Sequence, residues 1–590
     1  MWIGDWNKTN ENWEWQSHTV NDSVIYTPIV IDRNHAFTKV DGVLFKQMLK
    51  MLSLDFICNY DSLILKDTKK INKLAFALDM AVAGRSDESV WIRQAQEIRK
   101  QMTDSLIDSA FTYLPEGVKH DEIELIKRKL KRRRLELEAV ASQYYRLLQR
   151  TPVVAGTNQS DYFLIERQAP DRTILRIYDP ETGDCRLEQQ FSGRETKELW
   201  LYGLAGNDTF EVKGNTRKDF PIYLISGEGE NQYQLNHNRK IHVYDKDYKY
   251  DYQKIKYHKI SFTPWGIYDS DKGISLGTFF TYTMYGFKRA PFTYQHRIGY
   301  NYLKGFMYAG VFPNYDGRRR LYLNASISSP RNFENFFGFG NNTAGYKEEK
   351  KNYNRVKLRT YMLNPSFEMD LRKEEVVTFF GSLDMYKAKR TDDRYIYTVY
   401  GEDHPIFRTN YFVGLGATYR ITKQPYSWLP LLETEWTAGW KMNLKKPERN
   451  FPYAQGSLSW NVRFSDRFTW ASLMKGTVLF DNDYEFYQAA TIDLRGFRDN
   501  RFIGKQSFYQ YSDLRLDMGK LKNPFTPLKY GLFAGFDYGR VWFPGERSHS
   551  WHTSYGGGIW LTFLNKFTTK YSWFGSTDSF RFAFELGLGF

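Results

Sequence analysis

Three groups of residues have the types and spacing to do chemistry. The first is Asp5, Asn12 and Asp32, in Gly4-Asp-Trp-Asn-Lys-Thr-Asn-Glu-Asn-Trp-Glu-Trp15 and Tyr26-Thr-Pro-Ile-Val-Ile-Asp-Arg-Asn-His-Ala-Phe37. An aspartate, an asparagine seven residues on and a later aspartate is the spacing of a phosphotransfer loop. There the first carboxylate accepts the proton of the attacking hydroxyl and the other two hold metal. The second group is Asn207, Asp208 and Glu230, in Gly203-Leu-Ala-Gly-Asn-Asp-Thr-Phe210 and Gly227-Glu-Gly-Glu-Asn-Gln-Tyr233. These are oxygen ligands of the kind Ca²⁺ takes. The third is Arg495, in Asp493-Leu-Arg-Gly-Phe-Arg-Asp-Asn-Arg-Phe-Ile-Gly504. A guanidinium between apolar residues and a glycine is expected to fold inward onto a carboxylate, because a confined arginine needs a bidentate partner. Asp513 and Asp537 are the candidates; an exposed loop arginine is the other reading.

The elements that must position Arg495 follow from the end of the chain. In Phe582 to Phe590 every second side chain is large and apolar: Phe582, Phe584, Leu586, Leu588 and Phe590. Ala583, Glu585, Gly587 and Gly589 alternate with them. A strand with one apolar and one polar face suits a wall between lipid and a watery lumen; an edge strand of a soluble sheet reads the same way. The alternation recurs from about residue 255 onward. Ile274, Leu276, Phe280, Tyr282 and Met284 share a face against Ser275, Gly277, Thr281 and Thr283. Leu321, Leu323, Ala325 and Ile327 oppose Tyr322, Asn324 and Ser326, and Leu458, Trp460, Val462 and Phe464 oppose Ser459, Asn461 and Arg463. Turn chemistry at Asn314-Tyr-Asp-Gly317, Lys446-Pro-Glu-Arg-Asn450 and Asp481-Asn-Asp483 separates the runs. At about 10 residues per transmembrane strand plus a connection, this stretch holds about 16 strands.

The fold class expected is therefore mainly β: a transmembrane antiparallel β-barrel of about 16 strands over 255–590, preceded by an α+β region and a small β domain. Residues 1–150 are mixed and then helical, with Ile123, Ile126, Leu130, Leu137, Tyr144 and Leu148 at helical spacing between Asp121 and Leu148. Residues 151–254 read as short strands, as in Thr173-Ile-Leu-Arg-Ile-Tyr-Asp-Pro-Glu-Thr-Gly-Asp184.

Composition agrees with a barrel. Aromatics make up 17% of the 590 residues, yet mean hydropathy is −0.60, and no apolar run is long enough for a spanning helix. Half of each barrel strand faces water, and aromatics gather at both interfaces. The net charge of +15 is interleaved with acids. The densest cluster, Lys127 to Arg134, follows Asp121, Glu122 and Glu124 and reads as a solvated helix face rather than a nucleic-acid patch. Cys58 and Cys185 form neither a disulfide framework nor a metal motif, and are either free or paired with each other. The start, Met-Trp-Ile-Gly-Asp-Trp-Asn-Lys, has no export signal. A barrel of this kind must be exported, so the chain is expected to be a fragment of a longer protein.

Three blocks in order carry a resemblance: Asp493 to Gly504, Tyr511-Ser-Asp-Leu-Arg-Leu-Asp517, and Gly535-Phe-Asp-Tyr-Gly-Arg-Val-Trp542. With Phe590 they look like the C-terminal region of the BamA/TamA superfamily, also called bacterial surface antigens. The resemblance implies a 16-stranded barrel whose sixth extracellular loop folds into the lumen on a [Val/Ile]-Arg-Gly-[Phe/Tyr] motif. Leu494, Arg495, Gly496 and Phe497 match it with leucine in first place, and Asp513 and Asp537 match the acidic strand partners. Leu586, Leu588 and Phe590 would be the C-terminal assembly signal. The match is strong over about 490–590 and thin before it. The family's inserting members carry periplasmic β-α-α-β-β repeats, and residues 1–250 show none, which favours a relative that handles its own attached domains.

Two shorter resemblances lie upstream. Gly4 to Phe37 resembles kinase-like folds of the CotH and related atypical type, with Asp5, Asn12 and Asp32 at the catalytic places. It departs from them in having Asn7-Lys8-Thr9 for Asp-Arg-His, and the nucleotide lobe would precede residue 1. A catalytically silent remnant is expected. The turns at 203–210 and 227–233 resemble calcium β-roll nonapeptides, but only two copies are legible where a stable stack needs three, so ordinary turns before strands are the expectation.

The resemblance to the larger family implies an outer-membrane protein of a Gram-negative bacterium that anchors, displays or translocates an attached soluble domain, or assists protein insertion. Its partners would be outer-membrane lipid, the outer-membrane assembly machinery and a protein client, with no nucleic acid, no cofactor, no metal and no catalytic residues. The alternatives are a membrane-anchored phosphotransferase or hydrolase whose catalytic lobe lies elsewhere, and a passive outer-membrane pore.

Overall fold

The computed structural model describes the chain apart from residues 21–22, 41–48, 50–53, 116, 118–119, 237–239, 246–247, 249, 253–257, 270, 290, 315–316, 344–351, 392, 424–431, 522–527, 564–566 and 589–590. It divides into two compact units, Met1–Lys256 and Tyr257–Phe590.

The first unit joins the helical region and the small β domain. Gln189 Nε2 donates to the Gly84 carbonyl at 2.8 Å and Thr196 Oγ1 to that of Gln149 at 3.0 Å. A hairpin, Trp13–Val20 against Ser23–Val30, precedes the helices. Helix His120–Arg134 begins with Asp121 and Glu122 and ends in Lys131 to Arg134, complementing its dipole. The helical pattern breaks after Arg134 and resumes as Leu137–Leu148, which buries Leu137, Val140, Ala141, Tyr144 and Leu148. The basic run is not wholly solvated. Arg133 is buried, stacks 4.4 Å from the Tyr60 ring and donates to the carbonyls of Trp2, Asp61 and Met1 at 2.7–2.8 Å. Three carbonyl acceptors explain how a guanidinium is tolerated there without a carboxylate.

Residues 153–244 form a parallel β-roll. One sheet runs Ile241–Tyr244, Ile222–Ile225, Leu199–Tyr202, Val153–Ala155, all parallel. The other stacks Gln232–Leu235, Thr209–Gly214 and Tyr162–Gln168 in parallel. The turn therefore recurs in three rungs, not two. The first is Gly156 to Asp161, separated from the second by the antiparallel strands Arg172–Tyr178 and Cys185–Ser192. In-register stacking puts Phe163 on Phe210 at 4.5 Å and Phe210 on Tyr233 at 5.7 Å inside the roll.

The second unit is a closed antiparallel barrel. Its wall runs, in chain order, β1 Lys259–Asp269, β2 Gly273–Met284, β3 Tyr294–Asn301, β4 Gly305–Pro313, β5 Arg319–Ile327, β6 Arg355–Arg372, β7 Glu375–Ala388 and β8 Asn410–Lys423. It continues with β9 Leu432–Asn443, β10 Asn450–Arg463, β11 Phe468–Leu479, β12 Gln506–Leu521, β13 Leu528–Trp542, β14 His552–Phe563, β15 Phe567–Ser576 and β16 Phe580–Leu588. A short flap, Phe333–Asn335, lies on β6. Each strand pairs with its chain neighbour, and β16 returns to β1.

The polarity is inverted relative to a water-soluble barrel. Ile274 and Leu276 are each 63% exposed on the outside, while Ser275, Thr281 and Thr283 of the same strand are buried. Phe262, Leu415 and Trp436 continue the outer face. Charged side chains point inward and pair across strands, as in Lys441–Asp384 at 2.7 Å and Arg320–Glu368 at 2.7 Å. A closed barrel with no sheet edge, greasy outside and polar inside, is what a bilayer admits. No described helix is long and apolar enough to cross a membrane. β16 reaches Leu588; the side chains of Leu586 and Leu588, and all of Phe590, lie outside what the structure describes.

Candidate functional site

The long connections gather at one end of the barrel. Residues 336–343, 395–407 and 486–503 pack an apolar plug of Phe336, Ile396, Ile406, Phe407, Phe486 and Ile503 against Leu358, Tyr386 and Phe412 of the wall. The connection between β11 and β12 adds an apolar cluster of its own. Ile492, Leu494, Phe497 and Phe502 bury themselves against Tyr509 and Val541, on β12 and β13. These apolar anchors set the loop's depth, and Arg495 is carried between them.

Arg495 meets both candidate carboxylates. Its Nε donates to Asp537 Oδ1 and Oδ2 at 3.0 and 3.1 Å, Nη2 also donates to Asp537, and Nη1 donates to Asp513 Oδ1 at 2.5 Å. Its backbone N–H donates to Asp537 Oδ2 at 3.0 Å and Ser554 Oγ to the same oxygen at 2.7 Å. The Asp537 side chain is fully buried. Asp513 keeps two further cations, Lys570 at 3.5 Å and Arg515 at 3.7 Å. The guanidinium lies 3.9 Å from the Phe574 ring centroid, so its open face is covered by an aromatic.

Two glycines make room for this. A Cβ on Gly496 would fall 2.6 Å from Ser554 Cβ and 2.9 Å from the Gly575 carbonyl. One on Gly535 would fall 2.7 Å from Arg495 Nη2 and 2.8 Å from Asp513 Oδ1. What the arrangement does is pair charge in a confined space.

Beyond Arg495 the same segment carries pairings that the sequence alone does not signal. Arg498 pairs with Asp271 in the β1–β2 turn, and Lys272 of that turn pairs with Asp499 at 2.7 Å. Arg501 pairs with Asp578 in the β15–β16 turn. Ser576 Oγ donates to the Gly496 carbonyl at 2.7 Å, and Arg581 of β16 donates to that of Phe497. The run Arg498-Asp-Asn-Arg501 shows that four polar residues beside buried aromatics must find partners, but not which partners.

The other candidate groups do different things. Asp5 is buried, accepts from the Asn7 N–H at 3.0 Å and faces Arg33 Nε at 3.4 Å. Arg33 Nη1 also donates to the Asp32 carbonyl at 2.7 Å. Asn12 turns back on Thr9, and Asp32 accepts from the Asn34 N–H at 2.8 Å. Beside them the Lys8 ammonium pairs with Asn72, and burial lowers its pKa.

In the β-roll, Asp208 Oδ1 accepts the Asp161 N–H of the previous rung at 2.9 Å, and Asn231 Oδ1 accepts the Asp208 N–H at 3.0 Å. Asn207 Oδ1 accepts the Glu230 N–H at 2.8 Å. These oxygens cap backbone between rungs rather than converging. Among the described residues no three His, Cys, Asp or Glu side chains cluster as a metal site would need. Asp208 Oδ2 is buried with no hydrogen-bond partner, and burial pushes its pKa up to about 7. Cys58 and Cys185 are both free thiols.

No protein-family model matches the chain, and no curated protein does. Among solved structures, BamA from Haemophilus ducreyi lacking POTRA domains 1–3 is similar at 12% identity and a TM-score of 0.42, over 57% of this chain and 70% of that one. CdiB from Acinetobacter baumannii is similar at 11% identity and a TM-score of 0.33, over 57% of this chain and 66% of its own. CdiB from Escherichia coli is similar at 10% identity and a TM-score of 0.36, over 55% and 62%. Likenesses this loose carry no inference about what the chain does.

Proposed function

We propose that the chain is an outer-membrane barrel of the BamA/TamA type with a mechanical role, anchoring the unit Met1–Lys256 at the outer membrane and moving or displaying polypeptide through a barrel that opens at its wall. The observation that carries this reading is the loop pinned inside the lumen by Arg495, between Asp513 on β12 and Asp537 on β13. A barrel that must stay shut until used needs such a plug.

The reading includes no phosphotransfer by residues 1–148. In its support, Arg33 already sits on Asp5 and on the Asp32 carbonyl, the ground a divalent metal would need. Asn12 is spent on a local turn.

Planar-bilayer recording of the purified chain tests the proposal. A small, unsteady conductance that grows in Arg495→Ala is expected. A wide, steady conductance that ignores Arg495→Ala would establish the pore instead. Phosphate transfer from ATP by the full chain, lost in Asp5→Asn, would overturn the non-catalytic part.

A further inference from the structure

At the loop end the wall and the connections enclose a cavity of about 460 Å³. One side of it is the inner face of the wall, where Ser326 of β5, Thr360 of β6 and Tyr386 of β7 line it. Glu334 of the flap, with Tyr487 and Asn500 of the β11–β12 connection, lines the other. The wall backbone there is already paired, Ser326 with Met362 and Thr360 with Tyr386. A ligand in this cavity meets side chains and not a strand edge.

The charges of the lining are uneven. Lys272 is held by Asp499 at 2.7 Å, and Glu334 accepts from Asn500 Nδ2 at 3.0 Å. Lys304 and Arg331 also line the cavity, and both are exposed, so it is open to water where they stand. Among the described residues neither pairs with a carboxylate, and neither the ammonium nor the guanidinium donates a hydrogen bond. Each lies over an aromatic ring instead, Lys304 Nζ 5.5 Å from the Trp265 centroid and Arg331 Cζ 4.1 Å from that of Tyr302. A ring covers the face of a guanidinium and leaves its edge donors free. Other cations of the barrel interior have their carboxylates, as Lys441 has Asp384 and Arg320 has Glu368. A further group is unsatisfied. Tyr487 Oη is buried with no hydrogen-bond partner, and its ring stacks on Tyr386 at 4.5 Å. A buried hydroxyl without a partner is costly, and a ligand oxygen would remove that cost.

We propose that this cavity binds a small acidic carbohydrate, one or two sugar units bearing a carboxylate or a phosphate. Lys304 and Arg331 take the anion, the arginine through the fork that fits either group. The sugar hydroxyls meet Ser326, Thr360 and Tyr487 Oη. The volume is in the range of about 300–1,000 Å³ that small-molecule sites occupy. An extended peptide would need a free sheet edge, which this lining does not offer. The site is separate from the Arg495 pairs and does not depend on what the barrel moves.

Isothermal titration calorimetry of the full chain in detergent micelles tests the proposal, with glucuronic acid and glucose 6-phosphate as probes. At least one should bind with a Kd of about 1 mM or tighter, and which one binds identifies the anion. Glucose, acetate and inorganic phosphate, each half of a probe, should bind at least about tenfold more weakly. Lys304→Ala/Arg331→Ala, which alters two exposed side chains, should weaken the charged sugar at least about tenfold. Tyr487→Phe, which removes only the hydroxyl, should weaken it about threefold. Lys446→Ala, an exposed cation of the β9–β10 turn outside the lining, should bind as wild type. No binding of either probe at about 10 mM would overturn the proposal. So would inorganic phosphate binding as tightly as glucose 6-phosphate, or binding that is unchanged in Lys304→Ala/Arg331→Ala. Neither conductance nor Arg495→Ala enters these readouts, so the site can fail while the proposed function stands, and the reverse.

Discussion

Replacing Arg495 by alanine leaves two carboxylates in a lumen plugged by the loop, and their fates differ. Asp513 retains Lys570 at 3.5 Å and Arg515 at 3.7 Å, so its charge stays compensated. Asp537, fully buried, loses three guanidinium hydrogen bonds and keeps only two neutral donors, the residue-495 N–H and Ser554 Oγ at 2.7 Å. Leaving one partner of a buried ion pair uncompensated costs about 3–5 kcal/mol. The two surviving donors offset some of this at about 1 kcal/mol each. Loss of the stack on Phe574 adds about 1 kcal/mol. The net expectation is about 3 kcal/mol, felt as a lower temperature for loss of the compact, heat-modifiable form on a gel. Arg495→Lys keeps the charge but not the fork, and should lose about half as much. The sharper test is Arg495→Ala/Asp537→Asn. If the penalty is the orphaned charge, neutralising Asp537 recovers most of it. A double variant no better than Arg495→Ala, or an Arg495→Ala indistinguishable from wild type, would refute the reasoning.

Gly496→Ala and Gly535→Ala each push a methyl into contacts under 3 Å. Each should lower folded yield by an amount matching about 1–3 kcal/mol of overpacking, read on the same gels. Asp208 gives a pH signature in the first unit. Its native pKa of about 7 stands above the ordinary carboxylate value, so the native state holds a proton that the unfolded chain releases. Stability contributed by this group is therefore full at low pH and falls as pH rises from about 4 to about 7. The loss is about 4 kcal/mol, three pK units at 1.36 each. Asp208→Asn, isosteric with Asn231 in the next rung, should flatten that slope and raise the midpoint of urea-dependent pulse proteolysis at about pH 8 but not about pH 4; an unchanged slope would count against it. Deletion of Phe590 should reduce the amount of folded barrel recovered from membranes, and normal levels would argue against an assembly role for the C-terminal residue.

The barrel was legible because its physics is local. Alternation of Ile274, Leu276 and Phe280 with Ser275 and Thr281 states which side meets lipid, strand by strand, without knowledge of any partner strand. Arg495, Asp513 and Asp537 were legible because they follow one another through consecutive blocks and a guanidinium among apolar residues has few options. Other features depend on distant pairing. Arg498 and Asp271 are 227 residues apart, Arg501 and Asp578 are 77 apart, and nothing periodic links them. The β-roll was half hidden for a different reason. Asp208 and Asn231 repeat at 23 residues, but Asp161 and Asp208 are 47 apart because an antiparallel pair of strands is inserted between the first two rungs. The insertion masks the period, and with it the third copy that makes the stack self-supporting. Arg133 was misjudged by its neighbours: of the seven basic residues between Lys127 and Arg134, six stay at least partly exposed and Arg133 turns inward.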